Sequence, residues 1–124
     1  MAPDDRFACL DMDVMEQLLG LDDGAVGLLE EMIGLYQEDT PGRLDAVGDA
    51  LGRSEWSDMA DVAHAIKGSA GTMGAPRVRA LAAQLESGGR TGTWEGDPAA
   101  ILAALRAAYT ESLGALEAFV ASRR

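Results

Sequence analysis

DVAHAIKGSAGTMG, residues 61–74, holds the only histidine and the only lysine of this 124-residue chain, His64 and Lys67. At about 100° per residue, Met59, Val62, Ala63, Ile66, Ala70 and Met73 fall in one narrow apolar stripe. That stripe predicts a helix from Ser57, a suitable N-cap, to Met73, with Gly74 ending it. His64 then lies roughly 150° from the centre of the stripe and faces solvent. Gly68 one turn on, Gly71 two turns on and Ala60 one turn back fall on its side. Lys67 sits at the edge of this strip, an i, i+3 neighbour of the imidazole. A glycine inside a helix costs about 1 kcal/mol relative to alanine. Packing does not account for Gly68, which points away from the core. What remains is close approach from outside, toward a histidine on a strip stripped of bulk.

Four more helices follow from periodicity and caps. A short one covers Asp11 to Leu19, with Val14, Met15, Leu18 and Leu19 on one face and Gly20 after it. Asp22 or Asp23 caps a long one, in which Leu29, Met32, Ile33, Tyr36, Leu44, Val47 and Leu51 keep one register across Pro41. The reading is one helix from Ala25 to about Gly52, bent at Pro41, with two helices meeting at the DTPG stretch as the alternative. Pro76 opens a fourth helix carrying Val78, Leu81, Ala82 and Leu85. The SGGRTG stretch ends that helix and begins a flexible loop, Ser87 to Gly96. Asp97 and Pro98 open the last, along which Ile101, Leu102, Leu105, Tyr109, Leu113, Leu116 and Phe119 recur. No strand pattern or internal repeat is present. The expected fold is all-α: an antiparallel up-and-down four-helix bundle over about 22–122, with an additional short N-terminal helix, in one domain spanning 1–124.

Composition narrows the functions. Aromatic residues are only 5% of the chain, so the core is built from aliphatic side chains and methionine, which suits helices. The formal charge of −11 argues against nucleic acid and anionic membranes as partners and favours one with a basic rim. A single cysteine, Cys9, excludes an internal disulfide and reads as a reduced packing residue. The opening MAPDDRFACLDMD lacks a signal-peptide pattern, and no apolar run approaches a spanning helix. A cytoplasmic monomer is expected.

An exposed lone histidine is most often an ordinary surface residue; its neighbourhood sets this one apart. Every other basic residue is arginine, so the one lysine looks placed by position. A compact ammonium beside an exposed imidazole suits a tetrahedral anion, a phosphoryl group, carried on that ring. A metal site needs more ligands than one histidine and one distant cysteine. A serine triad would shield the histidine in a cleft. GSAGTMG has neither the preceding strand nor the spacing of a phosphate-cradling loop.

AHAIKGSAGTMGAPRVRALAAQLE, residues 63–86, resembles the signature of the histidine-containing phosphotransfer (HPt) domain family. The matching features are a helical histidine, a lysine three later, a glycine four later followed by Ser69, the Gly74-Ala75 turn, and the Leu85-Glu86 pair. The close match covers about a fifth of the chain. Gly71 and Pro41 depart mildly from the pattern.

The resemblance implies that His64 accepts a phosphoryl group through Nε2, that Lys67 offsets charge on it, and that Gly68 leaves it room. Glu86, where relatives often carry Gln or Glu, would orient the ring by accepting its N–H, at the cost of repelling the phosphoryl group. Implied partners are response-regulator receiver domains and a hybrid histidine kinase. The implied role is a carrier in a two-component phosphorelay, without its own ATP site and without a cofactor of its own, since magnesium would sit on the receiver. Docking would use Ala60 and first-helix side chains such as Met12 or Met15. The competing expectation is an acidic helical adaptor that docks without phosphoryl chemistry. An acyl-carrier-like bundle would need an Asp-Ser-Leu setting, which is absent.

Overall fold

The computed structural model describes residues 5–124. Among them, a 3-10 turn at Asp5–Phe7 is followed by α1 (Met12–Gly20), α2 (Gly27–Gly52), α3 (Trp56–Met73), α4 (Pro76–Thr91) and α5 (Pro98–Arg123). The four long helices each pack against their sequence neighbours, and α5 closes back on α2. Short connections force consecutive helices to run antiparallel, giving the expected bundle. The short α1 leans on α2 and α3. Among the described residues, no helix is long and apolar enough to cross a membrane.

Local chemistry explains most boundaries. Asp11 caps α1: its Oδ1 accepts from the amides of Asp13 at 3.0 Å and Val14 at 3.4 Å. Its own amide donates to the carbonyl of Gly74 at 2.8 Å, pinning α1 to the α3–α4 turn. Gly74 has φ +68°, the left-handed C-cap conformation. A Cβ there would sit 3.0 Å from the Cβ of Val14, so both backbone and space call for glycine. Asp97 caps α5 as expected, accepting from the Ala99 amide at 3.0 Å.

α2 runs unbroken through Pro41, so the one-helix reading holds and the DTPG break does not form. Pro41 leaves the carbonyl of Gln37 without its helical partner. Both residues lie on the exposed side, where water can serve. α2 starts at Gly27, two residues later than expected, while Asp22 Oδ2 still accepts from the Leu28 amide at 3.0 Å. α3 starts one residue before Ser57, at Trp56, with no side-chain cap.

The largest correction concerns α4. The stretch expected to be a loop from Ser87 is helical to Thr91, and the connection shrinks to residues 92–97. The glycines there are packing devices. The Trp94 ring lies on Gly88, where a Cβ would come within 2.2 Å of it. A Cβ on Gly89 would meet the backbone carbonyl oxygen of Trp56 at 2.7 Å. α3 and α4 thus approach closely at this end, and Trp94 folds over the crossing to meet Trp56 edge-on at 6.0 Å.

Met59, Ala63, Ile66, Ala70 and Met73 are buried as the periodicity predicted, and Val62 is half-buried. Two other core contacts are polar or aromatic. Tyr36 and Ser112 hydroxyls meet at 2.9 Å between α2 and α5, and burial pushes the Tyr36 phenol up to about 12. Phe7 meets Phe119 edge-on at 5.5 Å, fixing the N-terminal turn to α5. Cys9 is half-buried, and burial raises its thiol above the usual range.

Candidate functional site

The third helix presents His64 outward, with 64% of its side chain exposed. Its Nδ1 lies 2.7 Å from Oε2 of Glu86, which α4 brings alongside. The other carboxylate oxygen, Oε1, accepts from Nζ of Lys67 at 2.6 Å. Glu86 therefore bridges the imidazole and the ammonium, and Lys67 reaches the carboxylate rather than the ring.

The Lys67 hydrogen bond, with smaller help from His64, holds the Glu86 carboxyl below the usual carboxylate range, against a raising effect of burial. Glu86 is thus ionised at neutral pH and can only accept. It follows that Nδ1 carries the proton. A neutral ring then has its lone pair on Nε2, which has no hydrogen-bond partner among the described residues. A nucleophile with fixed tautomer and orientation faces solvent. Because the Glu86 carboxyl is depressed in the fold, its tie to Lys67 and His64 is fully formed above the ordinary carboxylate range. The tie is lost as pH falls through the depressed value.

This arrangement predicts a spectroscopic signature. Nitrogen NMR of the neutral ring is expected to show Nδ1 protonated and Nε2 bare. Glu86→Ala is expected to return the ring to a tautomer mixture, and a ring protonated at Nε2 in the native protein would contradict the geometry.

Beyond the bridge, Arg90 Nη2 contacts Asp61 Oδ1 at 2.8 Å and lies 3.9 Å from Glu86 Oε2. Sequence reasoning missed both. The signal was there: Arg90 follows Glu86 by one helical turn, and Asp61 precedes His64 by nearly one.

Gly68 is exposed, and a Cβ built on it meets nothing within 4 Å. The space beside His64 is open, so Gly68→Ala would fit sterically in the unbound protein. It is expected to raise stability by about 1 kcal/mol, as glycine-to-alanine does in an exposed helix interior. It also places a methyl on the open side of His64, so a higher melting temperature together with a more hindered approach to the ring is the expected pair of results.

Gly71 is exposed too, with the Arg79 side chain laid across it. Ala60 is not on the open strip: it is fully buried, because α4 covers that flank of α3 at Gly89. Met15 is buried as well and offers nothing to a visitor, whereas Met12 is half-buried. Among the described residues, no group of three or more His, Cys, Asp or Glu is placed to hold a metal.

Residues 31–118, which include His64, Lys67, Gly68 and Glu86, match the family model of the Hpt domain. The fold is similar to the solved histidine-containing phosphotransfer domain of ArcB from Escherichia coli. That similarity has a TM-score of 0.83 and 23% identity, and covers 98% of this chain and 100% of that one. No curated protein matches the chain.

Proposed function

The chain belongs to the Hpt domain family, and from that premise we propose that it carries a phosphoryl group on His64 to and from receiver-domain aspartates in a phosphorelay. The observation that carries this reading is the exposed imidazole whose Nδ1 is held at 2.7 Å by an ionised carboxylate, directing the Nε2 lone pair outward.

In the proposed step, Nε2 of His64 attacks the phosphorus of a receiver acyl phosphate in line with the leaving carboxylate oxygen. The N–P bond forms as the P–O bond breaks, and the receiver aspartate departs as a carboxylate. The Nδ1 proton stays in place, so the ring gains positive charge as it attacks. Glu86 lies against that proton and offsets the charge. The reverse step uses the same contacts. Phosphoryl transfer asks little covalent work of a protein, so positioning and electrostatics carry it.

Lys67 has two claims on it. Unphosphorylated, it pairs with Glu86 at 2.6 Å; when the phosphoryl group arrives, its ammonium has a second anion to serve. Glu86 places negative charge near that group, which favours handing the phosphoryl on over holding it. The magnesium required for the chemistry belongs to the receiver. The chain acts as carrier, not as an enzyme with a turnover of its own.

The test is to mix the protein with a magnesium-loaded, phosphorylated receiver domain. Label on this chain is expected to be acid-labile, alkali-stable and located at His64. Docking without any label would make it an adaptor; label on another residue would overturn the assignment.

A further inference from the structure

The carrier reading leaves Gly71 unexplained, and the structure gives it an occupant. Arg79 of α4 lies across α3 there, its Cδ and Nε 3.5 Å from the position a Gly71 Cβ would take. An alanine would just touch it; a longer side chain would take its place. On the opposite flank of α3, Arg43 of α2 donates from Nη1 to the Ser69 hydroxyl at 3.1 Å, beside Gly68.

These two guanidiniums differ from the other cations near His64. Lys67 is engaged by Glu86, and Arg90 by Asp61. Among the described residues, neither Arg43 nor Arg79 has a carboxylate within ion-pairing distance. Arg79 lines an open groove with Lys67 and Gly71, about 560 Å³ in size, where Asp11 is the acidic residue present. Arg43 lines the neighbouring one with Gly68, Ser69 and Leu35, about 460 Å³, where Asp39 is the acidic residue present. The exposed strip of α3 is thus bordered on each side by a guanidinium with no ion-pair partner among the described residues, in a chain whose net charge is −11.

The chain as a whole repels an acidic visitor, so attraction has to be local. Two guanidiniums without a carboxylate of their own call for carboxylates on the visitor. We propose that Arg43 and Arg79 form a two-sided docking clamp that binds acidic side chains on the rim of the receiver's phosphoacceptor pocket, one on each flank of the His64 helix. The proposal rests on the carrier reading and differs from the basic-rimmed partner expected from net charge. Gly71 is the seat that lets Arg79 lie flat against α3.

The experiment uses the receiver that labels the native protein fastest, and measures the KM for phosphotransfer across a range of ionic strength. Arg43→Glu and Arg79→Glu are each expected to raise KM about tenfold at low salt, and together about a hundredfold, with the single-turnover rate at saturation little changed. The KM of the native protein is expected to rise with salt, and that of the double variant to be nearly flat. Gly71→Leu is expected to reproduce Arg79→Gln and to add little on top of it. Thermal unfolding of each variant checks the fold.

Labelling of His64 by phosphoramidate, a small donor that needs no docking, separates the two claims. Unchanged labelling with a raised KM supports the clamp. An unchanged KM and salt slope in the double variant overturns it, as does loss of phosphoramidate labelling in step with KM. A native protein that takes label from phosphoramidate but shows no salt dependence with any receiver sinks the clamp alone. One that takes no label from either source sinks the carrier reading itself.

Discussion

His64→Gln is expected to reduce phosphoryl acceptance from a receiver by more than about a thousandfold, since the variant has no nucleophile at that position. The neighbouring hydroxyls of Ser69 and Thr72 do not substitute. Ser69 accepts from Arg43, and Thr72 donates to the carbonyl of Gly68 at 3.1 Å. Residual label on either would also be acid-stable, unlike a phosphoimidazole. The variant should fold normally. His64 is mostly exposed, and its one hydrogen bond is to Glu86. A stability change within about 0.5 kcal/mol is therefore expected. Equal labelling of variant and native protein would end the assignment of His64, whatever the family resemblance.

Gly89→Ala is expected to destabilise the protein by about 2 kcal/mol, where helix propensity alone predicts a gain of about 1 kcal/mol. The two arguments differ in sign, so the measurement decides between them. A Cβ on Gly89 would press on the Trp56 carbonyl oxygen at 2.7 Å, on the Ala60 Cβ at 3.0 Å and on the Met59 Cε at 3.1 Å. The methionine end can swing aside; the backbone oxygen cannot without separating α3 from α4. For a domain of this length the loss corresponds to a fall of roughly 8 °C in Tm. Gly68→Ala, with nothing near its Cβ, is the matched control and should move the other way. A raised Tm for Gly89→Ala would mean that the helices do not cross this closely.

How much of this was legible in the sequence depended on range. Periodicity and caps gave the five helices, the core stripe of α3 and the outward His64, because each is set within a few residues. The GG pair at Gly88–Gly89 misled, because local propensity counts glycine as a breaker while here the close crossing with α3 requires it. Ala60 misled for a related reason. A helical wheel orders residues around one axis and does not know which flank a neighbouring helix covers; α4 covers that one. Spacing puts Lys67 within reach of the imidazole, and the resemblance puts Glu86 near the ring; that Lys67 bonds this carboxylate, 19 positions on, follows only from the α3–α4 packing. Net charge is a sum and carries no positions, so it does not show where the cations lie. Arg43 and Arg79 are far apart in sequence and converge only once α2 and α4 flank α3.

The edge-on pairing of Trp56 with Trp94 has a practical consequence. These are the only two tryptophans in the chain, so intrinsic fluorescence reports on one corner, where α3 and α4 cross and the chain turns toward α5. Circular dichroism, by contrast, averages over all the helices. If the two optical signals change at the same denaturant concentration, the corner melts with the whole and the bundle is a single cooperative unit. If emission changes first, the Trp94 latch lifts while the helices persist, and the protein has an early-opening end that needs no introduced dye to be seen.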